Sequence, residues 1–246
     1  MVNLGLVSIS FRNLTPEVII EEVKKAGLSY IEWGSDVHAP YNDILKLQKI
    51  AKLQAEAGLF CSSYGTYFRL GENNTDELQL YIDAAKILGT NILRLWCGNK
   101  SFNKYSEDEE AFLFSECKKA AAIAEKNNVI LCMECHNGTY TEAKEGAIRL
   151  MKFIDSPAFR MYWQPNQFVS TEENKKYARL IEGFTKCIHV FNWDKENRYP
   201  LSEATDLWRE YLSYFPENKT LLLEFIPDDS ISSLKIEADS LKRLVK

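Results

Sequence analysis

Residues 130–138, ILCMECHNG, place two cysteines, a glutamate and a histidine within five consecutive positions. A C-x-x-C pair beside a histidine is typical of a metal or redox site. The run VILCMEC, however, is typical of a short buried strand, on which successive side chains point to opposite faces. Glu134 and His136 then share a face with Cys132. Cys135 lies on the other face, so the two cysteines cannot bind one ion, and a redox C-x-x-C would begin a helix.

Three later strand-like runs each carry one polar residue close to the carboxyl end. They are YWQP with Gln164, IHVF with His189 and LLEF with Glu224. Alternation predicts a packed layer beneath these residues and Glu134, made of Cys132, Tyr162, Cys187 and Leu222. Two glutamates buried together repel each other unless one is protonated or a cation neutralises them. Because a histidine and a glutamine stand beside them, the pattern favours a divalent metal site.

Each of these residues also has a structural interpretation. A single histidine such as His189 is more often a hydrogen-bonded core residue than a ligand, and Gln164 can simply join two loops. Glu32, in the run YIEWG, can be a buried structural carboxylate. Arg94, in the run RLWCG, is then its ion-pair partner.

Eight short runs rich in β-branched and aromatic residues alternate with eight longer segments of helical spacing. The runs are LGLVSI, SYIEWG, LFCSSYG, NILRLWCG, VILCMEC, FRMYWQP, CIHVFNW and LLLEFI. Predicted capping residues are Thr15-Pro16, Ser106 with Glu109, Gly27, Gly58 and Gly89. The alternation predicts one α/β domain over residues 1–246, a single (β/α)8 TIM barrel with its active site at the carboxyl ends of the strands. A doubly wound sheet is the alternative, but SISFRN stands where its glycine motif would be.

The composition argues against several classes of protein. A net charge of −5 is unlike a broad nucleic-acid-binding surface, which needs an excess of lysine and arginine. No apolar run is long enough to cross a bilayer, and the opening MVNLGLVSIS does not resemble a signal peptide. The six cysteines are scattered, which predicts reduced thiols. These features predict a soluble cytoplasmic protein that binds neither nucleic acid nor membranes.

The chain resembles the xylose-isomerase-like TIM-barrel family of sugar isomerases and epimerases. The resemblance covers nearly the whole chain and lies in YIEWG, RLWCG, MECHNGT, YWQPNQ, HVFNW and LEF. It implies that the ligands of a Mn²⁺, Mg²⁺, Co²⁺ or Zn²⁺ ion are Glu134, Gln164, His189 and Glu224. It also implies proton transfer next to a carbonyl through an enediolate, with Glu134 and Glu224 as catalytic acid and base.

Gln164 departs from the family pattern. Members with D-x-x-H on this strand supply a carboxylate and a histidine, whereas this chain reads Gln164-Pro-Asn-Gln167. An amide oxygen is a weaker ligand than a carboxylate for a hard cation. The change implies a site that holds its metal less tightly, accepts a different ion, or works without one.

The resemblance also implies where a carbohydrate binds. The expected substrate contacts are His38, Trp96, His136, Asn166 and Arg198. The histidines would bond sugar hydroxyls, and Arg198 would neutralise charge on an oxygen. Tryptophans expected near the mouth, as apolar walls or as plain core, are Trp33, Trp96, Trp163 and Trp193. The last loop, IPDDSISS, has two aspartates and no glycine, which favours an unphosphorylated sugar or polyol derivative.

Other functions remain open on the sequence. A non-catalytic carbohydrate-binding barrel would explain Gln164, although it has no need for two opposed glutamates. A dehydratase of cyclic hydroxy-keto acids uses similar ligands and would bind its carboxylate through Lys195 or Arg198. The superfamily also includes abasic-site endonucleases, which need more metal ligands than a chain with three histidines offers. Phe112 and Phe114 either form a homo-oligomer contact or pack against the barrel.

Overall fold

Within the residues that the structure describes, 2–216 and 219–245, eight parallel strands close into a barrel with eight α-helices around it. The structure is a computed structural model. The barrel strands are β1 (Asn3–Val7), β2 (Tyr30–Gly34), β3 (Phe60–Leu70), β4 (Ile92–Cys97), β5 (Ile130–Glu134), β6 (Phe159–Trp163), β7 (Thr185–Val190) and β10 (Thr220–Leu223). A separate antiparallel hairpin consists of β8 (Trp193–Asp194) and β9 (Asn197–Arg198).

The helices cover the outside of this barrel. They are α1 (Pro16–Lys25), α2 (Ile44–Glu56), α3 (Leu78–Leu88), α4 (Glu107–Asn127), α5 (Lys144–Ile154), α6 (Thr171–Ile181), α7 (Thr205–Ser213) and α8 (Leu234–Leu244). The strands follow one another around the barrel in the order β1-β10-β7-β6-β5-β4-β3-β2. The predicted single (β/α)8 TIM barrel is confirmed, and all the carboxyl strand ends therefore share one mouth.

Several helix boundaries follow the predicted capping residues. Thr15 precedes α1, whose first residue is Pro16. The Ser106 side chain accepts from the Glu109 backbone at 3.3 Å, and the Glu109 carboxylate accepts from the Ser106 backbone at 2.8 Å. Gly89 ends α3 in the left-handed conformation, at φ 85°. These caps fix where the helices stop and the chain turns towards the next strand.

β3 and the β8–β9 hairpin differ from the prediction. The run LFCSSYG predicts a strand that ends at Gly65, but β3 continues to Leu70. Its register against β4 shifts between Gly65 and Arg69, and such an irregularity re-aims the side chains around it. The hairpin is additional to the eight predicted strands, because two-residue strands are too short to leave a periodic pattern.

A small apolar cluster fills the barrel interior below the mouth. Its buried residues are Val7, Ile9, Cys132, Tyr162, Cys187 and Leu222. The layer predicted beneath the polar strand ends is therefore confirmed. Cys135 belongs instead to the separate core between strands and helices, so the two cysteines of the C-x-x-C pair point to opposite faces as expected.

Two of the tryptophans expected near the mouth lie elsewhere. Trp33 and Trp163 are 0% exposed and pack in the outer core. The Trp33 indole donates to Gln54 at 2.9 Å. Each ring neighbours a residue, Glu32 or Gln164, that points into the barrel, so alternation turns the ring outwards. For these two positions the mouth prediction was wrong, and the core interpretation holds.

The two phenylalanines on α4 differ in exposure to solvent. Phe112 is 58% exposed, whereas Phe114 is 5% exposed and packs against the ring of Tyr140. Phe112 therefore keeps the option of a subunit contact and Phe114 does not. Among the described residues, no helix combines the length and the apolar character needed to cross a membrane.

Candidate active site

Glu134, His189 and Glu224 meet at the mouth of the barrel, and all three are buried. Glu134 ends β5, His189 lies near the end of β7, and Glu224 directly follows β10. The Nδ1 atom of His189 lies 3.6 Å from Glu134 Oε1 and 3.4 Å from Glu224 Oε2. Because β10 lies on one side of β7 and β5 on the other, barrel closure brings the two carboxylates to the imidazole from opposite sides.

The far ring nitrogen of His189 is directed at a third carboxylate. Its Nε2 atom lies 3.4 Å from Glu32 Oε2, below the mouth. Burial disfavours the charged imidazole, but the carboxylates of Glu224 and Glu32 outweigh burial and raise the pKa of His189 well above its usual value. A cation bound at Nδ1 would take the place of the proton there, while Nε2–H remains bonded to Glu32.

A buried arginine joins the site from β4. The Arg94 Nε atom donates to Glu32 Oε1 at 2.9 Å, and its Nη1 atom forms a second ion pair with Glu134. The Trp96 indole donates at 2.5 Å to Glu134 Oε2, the oxygen that Arg94 Nη1 also contacts. Burial alone would raise the pKa of Glu134, but the charge of Arg94 outweighs burial and holds that pKa well below its usual range. The predicted Glu32–Arg94 pair is confirmed, and Arg94 is a resident cation that Glu134 shares.

Glu32 accepts hydrogen bonds from several sides of the barrel. Ser63 donates to its Oε2 atom at 3.0 Å, and the Tyr162 hydroxyl donates to the same atom from the opposite strand. Burial would raise the pKa of Glu32, but the charge of Arg94 outweighs it, and the pKa is lowered to about 2. A Cβ atom at position 65 would lie 2.5 Å from Glu32 Oε1, so Gly65 leaves the room that the ion pair needs.

The Gln164 amide faces the two glutamates and can do so in either sense. With its oxygen inwards, Oε1 lies 2.9 Å from His189 Nδ1 and accepts a hydrogen bond from a protonated Nδ1. With the amide turned over, the nitrogen can donate to Glu134 Oε1 and Glu224 Oε2, both at 3.2 Å, and to His189 Nδ1 at 2.9 Å. The two ends of an amide are nearly the same size, so the turn needs no extra room, but an inward nitrogen requires that His189 Nδ1 carry no proton.

The donor atoms of this cluster fit a divalent metal ion. One atom from each of Glu134, His189 and Glu224 lies within 4.8 Å of the others. Metal–ligand bonds of about 2.0–2.2 Å place neighbouring ligands roughly 3–3.5 Å apart, close to the 3.4 and 3.6 Å separations measured from Nδ1. Glu32 behind the imidazole supplies the second hydrogen bond that metal-binding histidines usually make. Gln164 Oε1 is a neutral fourth donor.

A cavity of about 90 Å³ lies above the cluster. Its walls include Glu134, His136, Gln164, Asn166, Trp193, Glu224 and Phe225. Two expected substrate contacts, His136 and Asn166, thus lie in the walls. The ring of a third, Trp96, packs on the His136 ring at 4.4 Å. Small-molecule sites usually measure about 300–1,000 Å³, so this cavity holds only part of a sugar.

His38 and Arg198 lie outside this cavity. His38 is 1% exposed, with Nδ1 at 3.1 Å from Ser8 Oγ and Nε2 at 3.2 Å from the Leu14 carbonyl oxygen. Both ring nitrogens have protein partners, and the structure does not bring His38 into the small cavity with His136 and Asn166. Arg198 lies on β9, lines a separate and larger cavity, and pairs with Asp229.

Four mouth residues were not predicted: Arg12, Tyr67, Arg69 and Phe225. The Arg69 guanidinium lies over the Trp96 ring at 4.6 Å. Arg12 donates to the Tyr67 hydroxyl. A signal existed for Arg12, a charged residue just beyond the first strand. The contacts of Tyr67 and Arg69 depend on the extension of β3, which the sequence pattern did not reveal.

Comparisons with known proteins agree with this architecture. The profile of the family described as xylose isomerase-like TIM barrel matches residues 20–233. No curated protein sequence matches the chain. Among solved structures, the probable 3-DHS dehydratase involved in petrobactin synthesis from Bacillus anthracis has 14% identity and a TM-score of 0.82, over 98% of both chains.

Two further structures share the fold. The D-psicose 3-epimerase with D-tagatose from Clostridium cellulolyticum H10 has 13% identity and a TM-score of 0.74, over 99% of this chain and 98% of that chain. A xylose isomerase-like TIM barrel protein from Mycobacterium smegmatis in complex with magnesium has 12% identity and a TM-score of 0.74, over 99% and 96%. At these identities the structures establish the fold alone. Because the family profile matches most of its length, the chain belongs to the xylose isomerase-like TIM barrel family.

Proposed function

We propose that the protein is a sugar isomerase or epimerase that moves a proton on the carbon next to a carbonyl group. The observation that supports this is the pair Glu134 and Glu224, which face one small cavity from two sides of His189. Two buried carboxylates aimed at one point are unfavourable for stability, and such groups cluster where chemistry needs them. Epimerases are among the structures that share the fold.

The two glutamates have different surroundings, which suits them to different tasks. Glu134 accepts hydrogen bonds from Arg94 and Trp96 through Oε2, so it stays ionised and fixed. Its other oxygen orients a substrate hydroxyl. Glu224 lies beside His189 and pairs with no lysine or arginine in the described part of the chain. Glu224 therefore removes the proton and returns it, and this arrangement favours isomerisation with one base over epimerisation with two.

The cluster is also suited to hold a divalent ion through Glu134, Gln164, His189 and Glu224. When bound, the ion would polarise the substrate carbonyl and stabilise negative charge on its oxygen. The other residues of the site act without it. Arg94 contributes a fixed positive charge below the reacting atoms, and the rings of Trp193 and Phe225 keep water from the cavity.

Gln164 favours one other function, a carbohydrate-binding barrel without turnover. Its amide is a weak metal ligand, and with the nitrogen inwards it satisfies both glutamates by hydrogen bonding. The cavity, His136 and Asn166 would still bind hydroxyl groups. This alternative and the isomerase make opposite predictions for a bound sugar, because only the isomerase breaks a carbon–hydrogen bond.

Solvent exchange in D₂O tests the proposed function. Protein supplied with Mn²⁺ or Mg²⁺ is incubated with tetroses, pentoses and hexoses, both aldoses and ketoses, and with their phosphorylated and acid forms, and deuterium next to the carbonyl is measured by NMR. We expect incorporation into at least one sugar together with interconversion of its aldose and ketose forms. Sugar binding without any incorporation would contradict the isomerase and favour the binding protein.

Glu32→Gln should weaken Mn²⁺ binding by about 10–100-fold, because an amide is a poorer partner for the imidazole N–H of a metal-binding histidine. Titration calorimetry on chelator-treated protein measures the affinity. The matched control is Glu237→Gln on α8, another buried carboxylate, which accepts from the Leu201 backbone at 2.9 Å and forms no hydrogen bond or ion pair with the described side chains of Glu134, His189 and Glu224. It should bind Mn²⁺ like the wild type. Equal affinities in all three proteins would show that Glu32 does not orient His189 for an ion.

A further inference from the structure

A second, larger cavity opens at the mouth beside the small one. It measures about 560 Å³ and is formed by the loops that follow β1, β7 and β10. The Phe225 ring belongs to the walls of both cavities. A sugar whose reacting carbons lie beside Glu224 does not fit in about 90 Å³. The larger cavity thus offers space past Phe225 for the remainder of such a substrate.

Two arginines, Arg12 and Arg198, line this larger cavity. The Arg198 guanidinium lies over the Trp193 ring at 4.9 Å and over the Phe225 ring at 4.6 Å. Arg12 lies 5.9 Å from the centre of the Tyr67 ring. The two aromatic faces hold the plane of the Arg198 guanidinium and leave the N–H groups along its edge free to bind an anion, whereas Arg12 is held by a hydrogen bond to the Tyr67 hydroxyl.

The acidic partners of these arginines are accessible to water. Arg12 pairs with Asp36, whose side chain is 29% exposed, and Arg198 pairs with Asp229, whose side chain is 69% exposed. An ion pair between exposed groups contributes about 0–1 kcal/mol, so an anion in the cavity can replace the aspartate. A guanidinium also has more N–H donors than one carboxylate engages.

Building on the proposed function, we propose that Arg12 and Arg198 bind an anionic oxygen group of the substrate, a carboxylate or a phosphate. The substrate is then a sugar acid or a sugar phosphate whose charged end lies across Phe225 from Glu224. From the sequence, the two aspartates of the last loop predicted an unphosphorylated sugar. The structure adds Arg12 from the loop after β1 and turns Arg198 to the same cavity.

Titration calorimetry with ribitol, D-ribonate and ribitol 5-phosphate tests this inference, since the probes share one carbon chain and differ in the charged group. The wild type should bind at least one anion about tenfold more tightly than ribitol. Arg12→Gln and Arg198→Gln should each lose about tenfold in affinity for that anion and keep the affinity for ribitol. The anion that binds more tightly distinguishes a carboxylate from a phosphate.

Arg149→Gln is the matched control, because Arg149 is an exposed arginine on α5 that pairs with Glu110 and takes no part in the mouth. It should bind every probe like the wild type. Anion affinity no greater than that for ribitol, including no binding of any probe, overturns the inference, and so does an equal loss in Arg149→Gln. Anion binding through both mouth arginines without deuterium exchange would refute the isomerase alone. Exchange in neutral sugars without anion preference would refute the anion site alone.

Discussion

Replacement of Arg94 by methionine should lower the free energy of unfolding by about 3–5 kcal/mol, as expected when one partner of a buried ion pair is removed. The Arg94 side chain is 2% exposed and pairs with both Glu32 and Glu134. Methionine fills much of the space but leaves two buried carboxylates without their cation. Urea unfolding near neutral pH measures the difference.

Arg149→Met is the control, since its pair with Glu110 has a 61% exposed arginine and should contribute about 0–1 kcal/mol. The pH dependence is a second check. The pKa of Glu32 falls from 4.5 to about 2 in the folded protein, so its ion-pair stabilisation is complete above pH 4.5 and is lost as the pH falls towards 2. The destabilisation by Arg94→Met should therefore shrink over that range. A deficit that stays constant down to about pH 3 would contradict the role given to this pair.

Glu224→Gln should slow deuterium exchange by about 10²–10⁴-fold, the usual contribution of a positioned general base. Glutamine has the shape of glutamate but cannot remove a proton. Because Glu224 is also a proposed metal ligand, the rate is measured at saturating Mn²⁺ with the bound metal determined separately. A rate within about tenfold of the wild type, with metal bound, would assign the base to another residue.

The companion variant is Glu134→Gln. It replaces the charged acceptor of the Arg94 and Trp96 hydrogen bonds with a neutral amide and should weaken metal and sugar binding more than it slows the chemical step. The two variants thus separate the tasks of the two glutamates. Similar losses of rate in both, at saturating metal and sugar, would favour the two-base epimerase over the one-base isomerase.

The fold was readable from the sequence because its pattern is local. The βα units carry their own alternation, and the first three helices end at a glycine, so that eight repeats leave little choice of architecture. The same alternation placed Glu134, His189 and Glu224 on the inner face at neighbouring strand ends. It also predicted the Cys132 layer beneath them. These inferences needed only the period of a strand and the rule that barrel sites form at the carboxyl ends.

The rest of the site depends on how the barrel closes. Tyr162 reaches Glu32 across the interior from the opposite strand, and Arg94 reaches Glu134 as well as Glu32, contacts that no spacing along one strand encodes. His38 was predicted as a substrate contact from its residue type alone. The turn after β2 places it against Ser8 and the Leu14 carbonyl. The alternation of side chains along a strand predicts that the rings of Trp33 and Trp163 face outwards. The prediction that placed them at the mouth rested on residue type instead.

The two orientations of the Gln164 amide have a consequence for the protein when no metal ion is bound. With an aspartate in that position, departure of an ion would leave three acids facing one another, and the mouth would have to take up protons or open. Here the amide nitrogen can bridge Glu134 and Glu224 in the ion's absence. Within the proposed function, we expect the metal-free protein to stay folded and inactive. When the ion binds again, rotation of the Gln164 amide would return its oxygen to the ligand set.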